Sequence, residues 1–480
     1  MYVPNPIRGC ILTIGAVLAW FGLVDRHRVR RTADLAWPRI VTGLARMSKT
    51  AIDVAMVGIA VGPAAIAGLG FAGPFWGAAF TIGSGIATGT IALVSQRYGA
   101  EAYDQLGQAV RTSALVVTIL VLPLVAIFWV FAWDLIALLS NDPVAIAAGA
   151  AYLGIVAFGI PFAALNLVGG RVLIGADDAW TPMVLRASGA VMNIGLNAVL
   201  IFGLGLGVVG AALGTVLSNA MVTLAFAIGL TAGRLPLVGT FPVRVSPIGT
   251  YVDLETGRDL IKISTPVMGR NLVWTAARFP MLAFVAFFGS TVVAAYVISR
   301  RIWGLMNTPG WGFGLAASSL VGQSIGAGDT TVAERYGHEI MKLSVATYTV
   351  FSIIVLLNAE RIVRLFVDDP TGETVTVAVP LVYAACVAVV VRGVGGTYAG
   401  ALDAAGDTTW PFYGRVIGMF GFAIPLVYIG ATTPLGLYGL YLAYFGQTIP
   451  PAFVNAYRFS TNKWKVISEQ YRPDAPAAGD

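Results

Sequence analysis

Twelve long apolar runs dominate this sequence, and they constrain its fold more than any other feature. A helix that crosses a bilayer needs about 20 mostly apolar residues. Bounded by glycine, proline and charged breaks, the runs cover 36–60, 63–95, 110–133, 145–172, 180–204, 207–230, 260–288, 290–323, 335–357, 375–402, 410–430 and 434–456. They predict an all-α polytopic membrane protein with twelve transmembrane helices, named spans one to twelve in chain order.

Composition excludes the soluble alternatives. Only 11% of the 480 residues are charged, against about 25% in a soluble globular protein. The basic residues form no stripe of the kind that binds nucleic acid, so no nucleic-acid partner is expected. Two cysteines (Cys10, Cys386) and two histidines (His27, His338) are too few and too scattered for a disulfide framework, a zinc site or haem. We therefore expect no cofactor and no enzymatic activity.

Basic residues in the connections predict the orientation of the spans, because cytoplasmic loops carry the excess of Lys and Arg. Arginines cluster before span one, and basic residues also flank the connections after spans two, four, six, eight and twelve. Both termini are therefore expected in the cytoplasm, and the protein in the cell (plasma) membrane. Residues 1–33 form an N-terminal extension in which the apolar stretch Gly9–Val24 is short for a span, and we expect an interfacial helix there.

The chain repeats itself. LVSQRYGA (93–100) recurs as LVGQSIGA (320–327), and ADDAWTP (176–182) recurs as AGDTTWP (405–411), at offsets of 227 and 229 residues. Six spans in each half make a parallel repeat, which is typical of transporters with two lobes. We predict an N-lobe at 34–230, a cytoplasmic linker at 231–259, a C-lobe at 260–456 and a cytoplasmic tail at 457–480. The sequence contains no GxxxxGK[ST] phosphate loop, so direct ATP drive is not expected.

Polar side chains inside the spans are costly and mark candidate sites. Asp53 is the one acidic residue well inside a span, and Asn193, Asn197 and Thr215 lie at a similar depth, about 10–17 Å below the outer surface at 1.5 Å per residue. Together they could form an oxygen-rich cation site for a coupling ion, although Asn and Thr also simply hydrogen-bond between membrane helices. The corresponding positions of the second lobe hold Pro280, Phe422, Leu426 and Tyr444. The predicted site is therefore one-sided, and the roles of Arg278, Arg300 and Arg301 stay open.

Several motifs resemble those of the multidrug and toxic compound extrusion (MATE) family. They are FGLAASSLVGQSIGAGD (313–329), VLIGADDAWTP (172–182) and MNIGLNAVLIFGLGLGVVGAA (192–212), and the similarity runs from about 34 to 456. The resemblance implies a secondary active antiporter that exports amphipathic, often cationic, compounds in exchange for Na⁺ or H⁺ by alternating access of two lobes. It also implies a monomer whose partners are these small molecules and the lipid bilayer.

Within that family the sequence is most similar to the archaeal and DNA-damage-inducible-F-like branch. Asp53, Asn193 and Thr215 match the branch's cation site, whereas Asn197 stands where an Asp is usual, which leaves the coupling ion and stoichiometry open. Pro38 matches a proline associated with helix bending, and we expect a hinge there. A lipid-linked precursor flippase of the same architecture is the alternative. An intramembrane enzyme would need a second acid or a His near Asp53, and duplicated lobes suit alternating access better than a passive channel.

Overall fold

The computed structural model of the chain describes residues 5–367 and 372–473, and these form two compact units. Among the described residues, Val41–Ser264 form the N-terminal unit, and residues 5–40 with 265–367 and 372–473 form the C-terminal unit. The outermost parts of the predicted extension and tail, 1–4 and 474–480, lie outside the described residues. Two helices, Arg26–Val61 and Leu254–Ala276, each contribute residues to both units.

The N-terminal unit is an assembly of helices with one short hairpin. After the end of Arg26–Val61, its helices are Pro63–Gly99, Tyr103–Val130, Ala132–Ala137, Pro143–Val156, Ala157–Gly159 (3₁₀), Ile160–Gly175, Trp180–Asn197, Ala198–Gly203 (π) and Gly207–Ala232. The antiparallel strands Arg234–Leu235 and Gly239–Thr240 follow, with Arg234 opposite Thr240.

The C-terminal unit begins with Pro6–Trp20 and the first part of Arg26–Val61, and it resumes within Leu254–Ala276. Its further helices are Arg278–Ala286, Ser290–Met306, Thr308–Gly326, Thr330–Leu357, Ala359–Arg364, Glu373–Ala404, Thr409–Val416, Ile417–Ala423 (π), Ile424–Thr432, Tyr438–Gly446, Ile449–Ser460 and Lys463–Glu469.

All twelve predicted spans are helical in the described residues. Eight of them, spans two to six and nine to eleven, are long and apolar enough by length and composition to cross a membrane. Span one carries four charged residues, Arg39, Arg46, Lys49 and Asp53, which lower its mean hydropathy. Spans seven, eight and twelve are each divided into two shorter helices. The division of span eight falls at Asn307, just before Pro309, whose missing N–H cannot continue the hydrogen-bond ladder.

The segment predicted as a linker, 231–259, packs on the N-terminal unit. Phe241 lies directly against Gly229, where an added Cβ would come within 2.1 Å of the ring. Arg111 donates hydrogen bonds to the main-chain oxygens of Ser246 and Thr250, both at 3.1 Å. These contacts explain why this compact unit extends to Ser264, beyond the predicted lobe boundary at residue 230.

Residues 34–40, predicted as the start of the N-lobe, belong to the C-terminal unit. The reason is local: Asp34 pairs with Arg8 at 2.6 Å, and Gly312 lies against the main-chain oxygen of Ala36. Arg8 belongs to the 15-residue helix Pro6–Trp20, which rests on Val29 through Gly15. At 1.5 Å per residue this helix reaches about 22 Å, too short for a hydrocarbon core of about 30 Å. That the helix Pro6–Trp20 lies in the membrane–water interface stays a prediction.

The duplication seen in the sequence is also present in the backbone. Left-handed residues, with φ between 51° and 110°, recur at the two sequence offsets. The pairs are Gly62 and Gly289, Glu101 and Gly328, Asp177 and Gly406, Gly207 and Gly436, and Gly233 and Asn462. Since positive φ is rare outside glycine, five matched pairs show that corresponding turns have the same conformation in both halves.

Small residues let the helices approach closely, which is how membrane helices gain contact energy without a hydrophobic driving force. In the N-terminal unit, a Cβ on Gly68 would come within 2.7 Å of the main-chain nitrogen of Gly149. In the C-terminal unit, a Cβ on Gly400 would come within 2.1 Å of the main-chain oxygen of Gly314. Each unit therefore contains helix pairs that pack backbone against backbone.

Candidate functional site

Asp53 lies in the second half of the helix Arg26–Val61, within the N-terminal unit, and both of its carboxylate oxygens have partners. Oδ2 accepts from the ammonium of Lys49, one turn earlier, at 2.5 Å. Oδ1 accepts from the side-chain amide of Asn197 at 3.0 Å. The Asp53 side chain is 19% exposed and that of Lys49 is 22% exposed, so the ion pair is largely shielded.

Asn193 and Asn197 are completely buried on the helix Trp180–Asn197 and continue the network inward. Asn197 Nδ2 also donates to Asn193 Oδ1 at 3.3 Å. Asn193 Nδ2 then donates to Thr215 Oγ1 at 3.4 Å and to Ser218 Oγ at 3.3 Å. The structure thus brings all four predicted site residues together, in one chain of contacts from Asp53 to Thr215. We call Lys49, Asp53, Asn193, Asn197 and Thr215 the Asp53 cluster.

Local sequence explains this geometry. The two asparagines are four residues apart and therefore share one face of their helix. They face Gly207–Ala232, where Gly214 leaves room for the amide: an added Cβ there would come within 2.0 Å of Asn197 Oδ1. Immediately after Asn197 the backbone changes to the π-helix Ala198–Gly203. Short π-helical segments inside helices are frequent at functional sites.

The orientation of the donors decides what the Asp53 cluster can do in this arrangement. Asp53 receives an ammonium and an amide N–H, so its charge is paired and each of its two oxygens already has a donor. Asn197 Oδ1 is buried without a hydrogen-bond partner among the described residues, and it points towards Gly214. A metal ion needs oxygen atoms around it. To join Asp53 in binding one, Asn197 would have to turn its oxygen round and Lys49 would have to leave.

Sequence reasoning missed three members of this environment. Lys49 is not among the predicted site residues, although its i,i+4 spacing from Asp53 is the standard signal of a helical ion pair. Ser218 and Tyr152 were not singled out. Tyr152 lies close to Thr215 and within the electrostatic influence of Asp53. Neither residue has a spacing or motif that distinguishes it from an ordinary polar side chain in a membrane helix.

The remaining predicted positions are found as follows. Pro38 lies inside the continuous helix Arg26–Val61, two residues before the boundary of the C-terminal unit, and its role as a hinge stays a prediction.

Arg278 and Arg301 are exposed. Arg300 donates to Gln447 Oε1 at 3.2 Å, and its guanidinium lies 5.1 Å from the centre of the Trp274 ring. No group of three or more His, Cys, Asp or Glu side chains able to hold a metal occurs in residues 5–367 and 372–473.

Comparison with known proteins identifies the family. The MatE family model matches residues 38–199 and again 266–429, once in each half of the duplication. The chain belongs to the MatE family. It is therefore a multi-pass membrane transporter and not an enzyme. The branch within the family stays a prediction.

Curated relatives of the MatE chain span nearly its full length. It is 28% identical over 456 residues to the multidrug resistance protein NorM of Burkholderia vietnamiensis, covering 93% of this chain and 96% of the relative. It is 26% identical over 436 residues to the probable multidrug resistance protein NorM of Bradyrhizobium diazoefficiens, covering 89% and 92%.

Solved structures confirm the predicted fold class. A crystal structure of MATE in complex with MaD3S matches with a TM-score of 0.82 at 20% identity, covering 96% of this chain and 100% of the other. A MOP superfamily transporter from Pyrococcus furiosus, described as having a reversed polarity of its binding pocket, matches with a TM-score of 0.81 at 20% identity, covering 98% and 100%. The two predicted lobes of six spans are those of this fold.

Proposed function

We propose that this protein exports amphipathic organic compounds, organic cations among them, in exchange for protons that bind at Asp53. Export is supported by the relatives, whose names describe multidrug resistance proteins. Coupling to an ion is suggested by a single carboxylate held inside a membrane span, since such groups are retained for function. In this proposal the protein is a monomer in the cell membrane, with both termini in the cytoplasm.

The observation that carries the proposal is the pairing of Asp53 with Lys49 and Asn197. When Asp53 takes up a proton, its negative charge disappears and the ammonium of Lys49 loses its counter-charge. The Lys49 side chain is then released from this position, and the amide of Asn197 faces a neutral carboxyl group. Protonation thus changes the charge and the contacts of two helices at once, which is the kind of event that biases a two-state transporter.

The same pairing favours H⁺ over Na⁺ as the coupling ion. Lys49 is a cation tethered one turn from Asp53, so its local concentration beside the carboxylate is high at all times. A sodium ion must compete with it and also recruit oxygen atoms from amides that direct N–H groups towards the cluster. A proton needs only one free lone pair of the carboxylate. Entry of one charge releases about 2.3 kcal/mol per 100 mV of membrane potential, which drives the cycle.

The proposal is tested with purified protein in proteoliposomes loaded with a fluorescent cationic dye. A pH gradient and a sodium gradient are imposed separately, with the membrane potential clamped. We expect dye efflux to follow the pH gradient and to ignore the sodium gradient. Efflux driven by sodium at equal pH would refute proton coupling, and the absence of efflux under both gradients would refute export of such dyes.

A matched variant tests the role of the tethered cation. Lys49→Met keeps a long side chain but removes the charge beside Asp53. We expect this variant to become sensitive to sodium, because the carboxylate then lacks its own counter-ion. Lys262→Met serves as the control, since Lys262 is an exposed lysine elsewhere in the same unit. An unchanged response to sodium in Lys49→Met would contradict the assigned role.

The same proteoliposomes distinguish export of soluble compounds from the alternative function, a flippase for lipid-linked precursors. A flippase would require a lipid headgroup as cargo and would move none of the soluble dyes. Translocation of a labelled lipid-linked diphosphate, combined with no dye efflux, would replace the export proposal.

A further inference from the structure

Three arginines surround one indole ring in the C-terminal unit. The guanidinium carbons of Arg300, Arg392 and Arg415 lie 5.1, 5.6 and 5.1 Å from the centre of the Trp274 ring. Each of the four side chains comes from a different helix: Leu254–Ala276, Ser290–Met306, Glu373–Ala404 and Thr409–Val416. We call these four residues the Trp274 cluster. All of them lie inside predicted membrane spans, where positive charge is unfavourable.

The hydrogen bonds of the Trp274 cluster bring no negative charge to it. Arg300 donates to the side-chain oxygen of Gln447, and Arg392 donates to that of Asn307. Arg415 Nη1 is buried and has no hydrogen-bond partner in the part of the chain that the structure describes. Amide oxygens satisfy donors but neutralise nothing, so the three charges remain uncompensated.

The nearest charged neighbours increase the imbalance. Arg392 interacts electrostatically with Arg300 and Arg270, and Arg415 interacts with Arg392 and Arg270. Arg270 is itself paired with Asp403, to which it donates two hydrogen bonds of 2.7 and 3.1 Å. Over the described ranges 5–367 and 372–473, no acidic side chain forms an ion pair with the three arginines of the Trp274 cluster.

A purely structural role does not account for this arrangement. Stacking on Trp274 attracts a guanidinium only weakly compared with the penalty for removing it from water. Three like charges around one ring also repel one another. An organic anion would remove both penalties, because carboxylate, sulfonate and phosphate oxygens accept the strong charge-assisted hydrogen bonds that guanidinium groups donate. The indole would contact the apolar body of the same molecule.

We propose that the Trp274 cluster binds the anionic group of an amphipathic organic molecule, a carboxylate, sulfonate or phosphate attached to an apolar or aromatic body. The cargo is then an anion or a zwitterion, which adds to the cations expected from the family resemblance. The proposal that this molecule is transported rests on the export function above, whereas its binding does not. A phospholipid also carries an anionic phosphate attached to an apolar body. Of these two occupants, we assign the site to a small cargo molecule.

The test uses three probes with one fluorophore and different charges: dansylglycine (anionic), dansylamide (neutral) and dansylcadaverine (cationic). Binding to the purified full-length protein is measured in phosphatidylcholine nanodiscs by the change in dansyl fluorescence. We expect dansylglycine to bind most tightly. Arg300→Gln and Arg415→Gln should each weaken it by about tenfold or more and leave dansylcadaverine unaffected. Two variants are used so that a folding defect in one of them leaves the other informative.

Arg361→Gln is the control, because it removes an equal charge at an exposed position of the same unit. It should leave dansylglycine binding unchanged. The proposal is overturned if both cluster variants bind dansylglycine normally, or if they weaken dansylcadaverine binding as much as dansylglycine binding. Loss of dansylglycine binding when phosphatidylglycerol replaces phosphatidylcholine would overturn the assignment to a small cargo molecule and give the site to a lipid headgroup.

Asp53→Asn separates this inference from the proposed function. We expect this variant to bind dansylglycine normally while it loses proton-driven efflux. Normal proton-driven efflux in Asp53→Asn would refute the coupling proposal and would leave the binding result intact. If Asp53→Asn impairs dansylglycine binding while Arg300→Gln and Arg415→Gln do not, the assignment of the anion site to the Trp274 cluster is wrong.

Discussion

The Asp53 cluster and the Trp274 cluster occupy different halves of one duplicated chain, and their charges are opposite in kind. In the first, a single carboxylate is satisfied by Lys49 and Asn197 of its own unit. In the second, three guanidinium groups share one indole and have only amide partners. The first cluster is complete by itself and under our proposal is switched by a proton, whereas the second is proposed to be completed by an added anion.

The difference arose on a common backbone. Corresponding turns of the two halves have the same left-handed residues, yet corresponding side chains have diverged. Thr215 of the Asp53 cluster matches Tyr444, which bonds Ser299 at 2.8 Å and packs on Trp303 in an apolar core. The helices have diverged as well, because Arg26–Val61 and Pro63–Gly99 are continuous, while their counterparts are broken at Ala277 and Asn307. Duplication preserved the fold, and the side chains decide which chemistry each half performs.

The largest effect is expected from Asp53→Asn. Asparagine can neither lose nor gain the proton on which the first cluster depends, so proton-driven efflux should fall to the background of empty liposomes. Thermal unfolding in detergent should show a folded protein, because the amide still accepts from Asn197. Asp134→Asn, at an exposed acidic position of the same unit, is the control. Efflux at the wild-type rate in Asp53→Asn would remove the distinction between the clusters.

Arg186 and Arg415 occupy equivalent positions, 229 residues apart, and provide a direct comparison of the two halves. Arg186 donates through Nη2 to the main-chain oxygen of Asn166 at 2.8 Å, although its Nε is buried without a partner; in the described structure Arg415 Nη1 is also an unpaired buried donor, and no comparable bond offsets it. Arg186→Gln should lower the free energy of unfolding by about 1.5–3 kcal/mol, the worth of a charged hydrogen bond. Arg415→Gln should leave it unchanged or raise it, since an uncompensated charge is removed.

Equilibrium unfolding of both variants in the same detergent measures this difference. Equal destabilisation by the two substitutions would mean that Arg415 is as well satisfied as Arg186, and it would weaken the case for an anion site.

A smaller effect is expected from Gly214→Ala, which tests the packing of the Asp53 cluster. The new methyl group would meet Asn197 Oδ1 at 2.0 Å and displace the amide from Asp53. Overpacking of this kind typically costs about 1–3 kcal/mol, and coupled efflux should fall with it. Gly195→Ala, on the asparagine helix, is the matched control because nothing lies within 4 Å of its added Cβ. Comparable losses in both variants, measured as thermal shifts, would contradict the assigned packing.

The smallest effect is expected from Pro38→Ala. Alanine restores a backbone donor inside the helix Arg26–Val61 and makes it stiffer. If the helix bends during transport, efflux should slow a few-fold while dye binding is unchanged. Pro123→Ala, inside the helix Tyr103–Val130, is the control. Identical efflux rates for wild type and Pro38→Ala would remove the hinge from the account.

Much of the fold could be predicted from the sequence, because apolar runs of membrane length have few alternatives to helices. The duplication was also readable, since the motifs after spans two and four recur in the second half. The compact-unit boundaries were not readable, because they depend on contacts such as Arg8 with Asp34 and Arg111 with the segment 246–250. The break at Ala277 lies within a run whose hydropathy gives no sign of it, whereas Pro309 is a sequence signal for the break at Asn307.

The two clusters were predictable to different degrees. Asp53 was visible as an acidic residue in a span, and its four-residue spacing from Lys49 could have revealed the ion pair. Arg392 and Arg415 were equally visible as charges inside spans ten and eleven, but the sequence does not tell which charges meet. Trp274 carries no signal of its own. Only the folded unit shows that four helices bring these side chains together.

The central claim is that Asp53 exchanges a proton for cargo. The most direct measurement is proton release from the purified protein when a transported dye binds, followed with a pH indicator in weakly buffered detergent solution. The account predicts release by the wild-type protein and none by Asp53→Asn, with both proteins binding the dye. Equal proton release by both proteins, or dye binding to the wild type without any release, would contradict it.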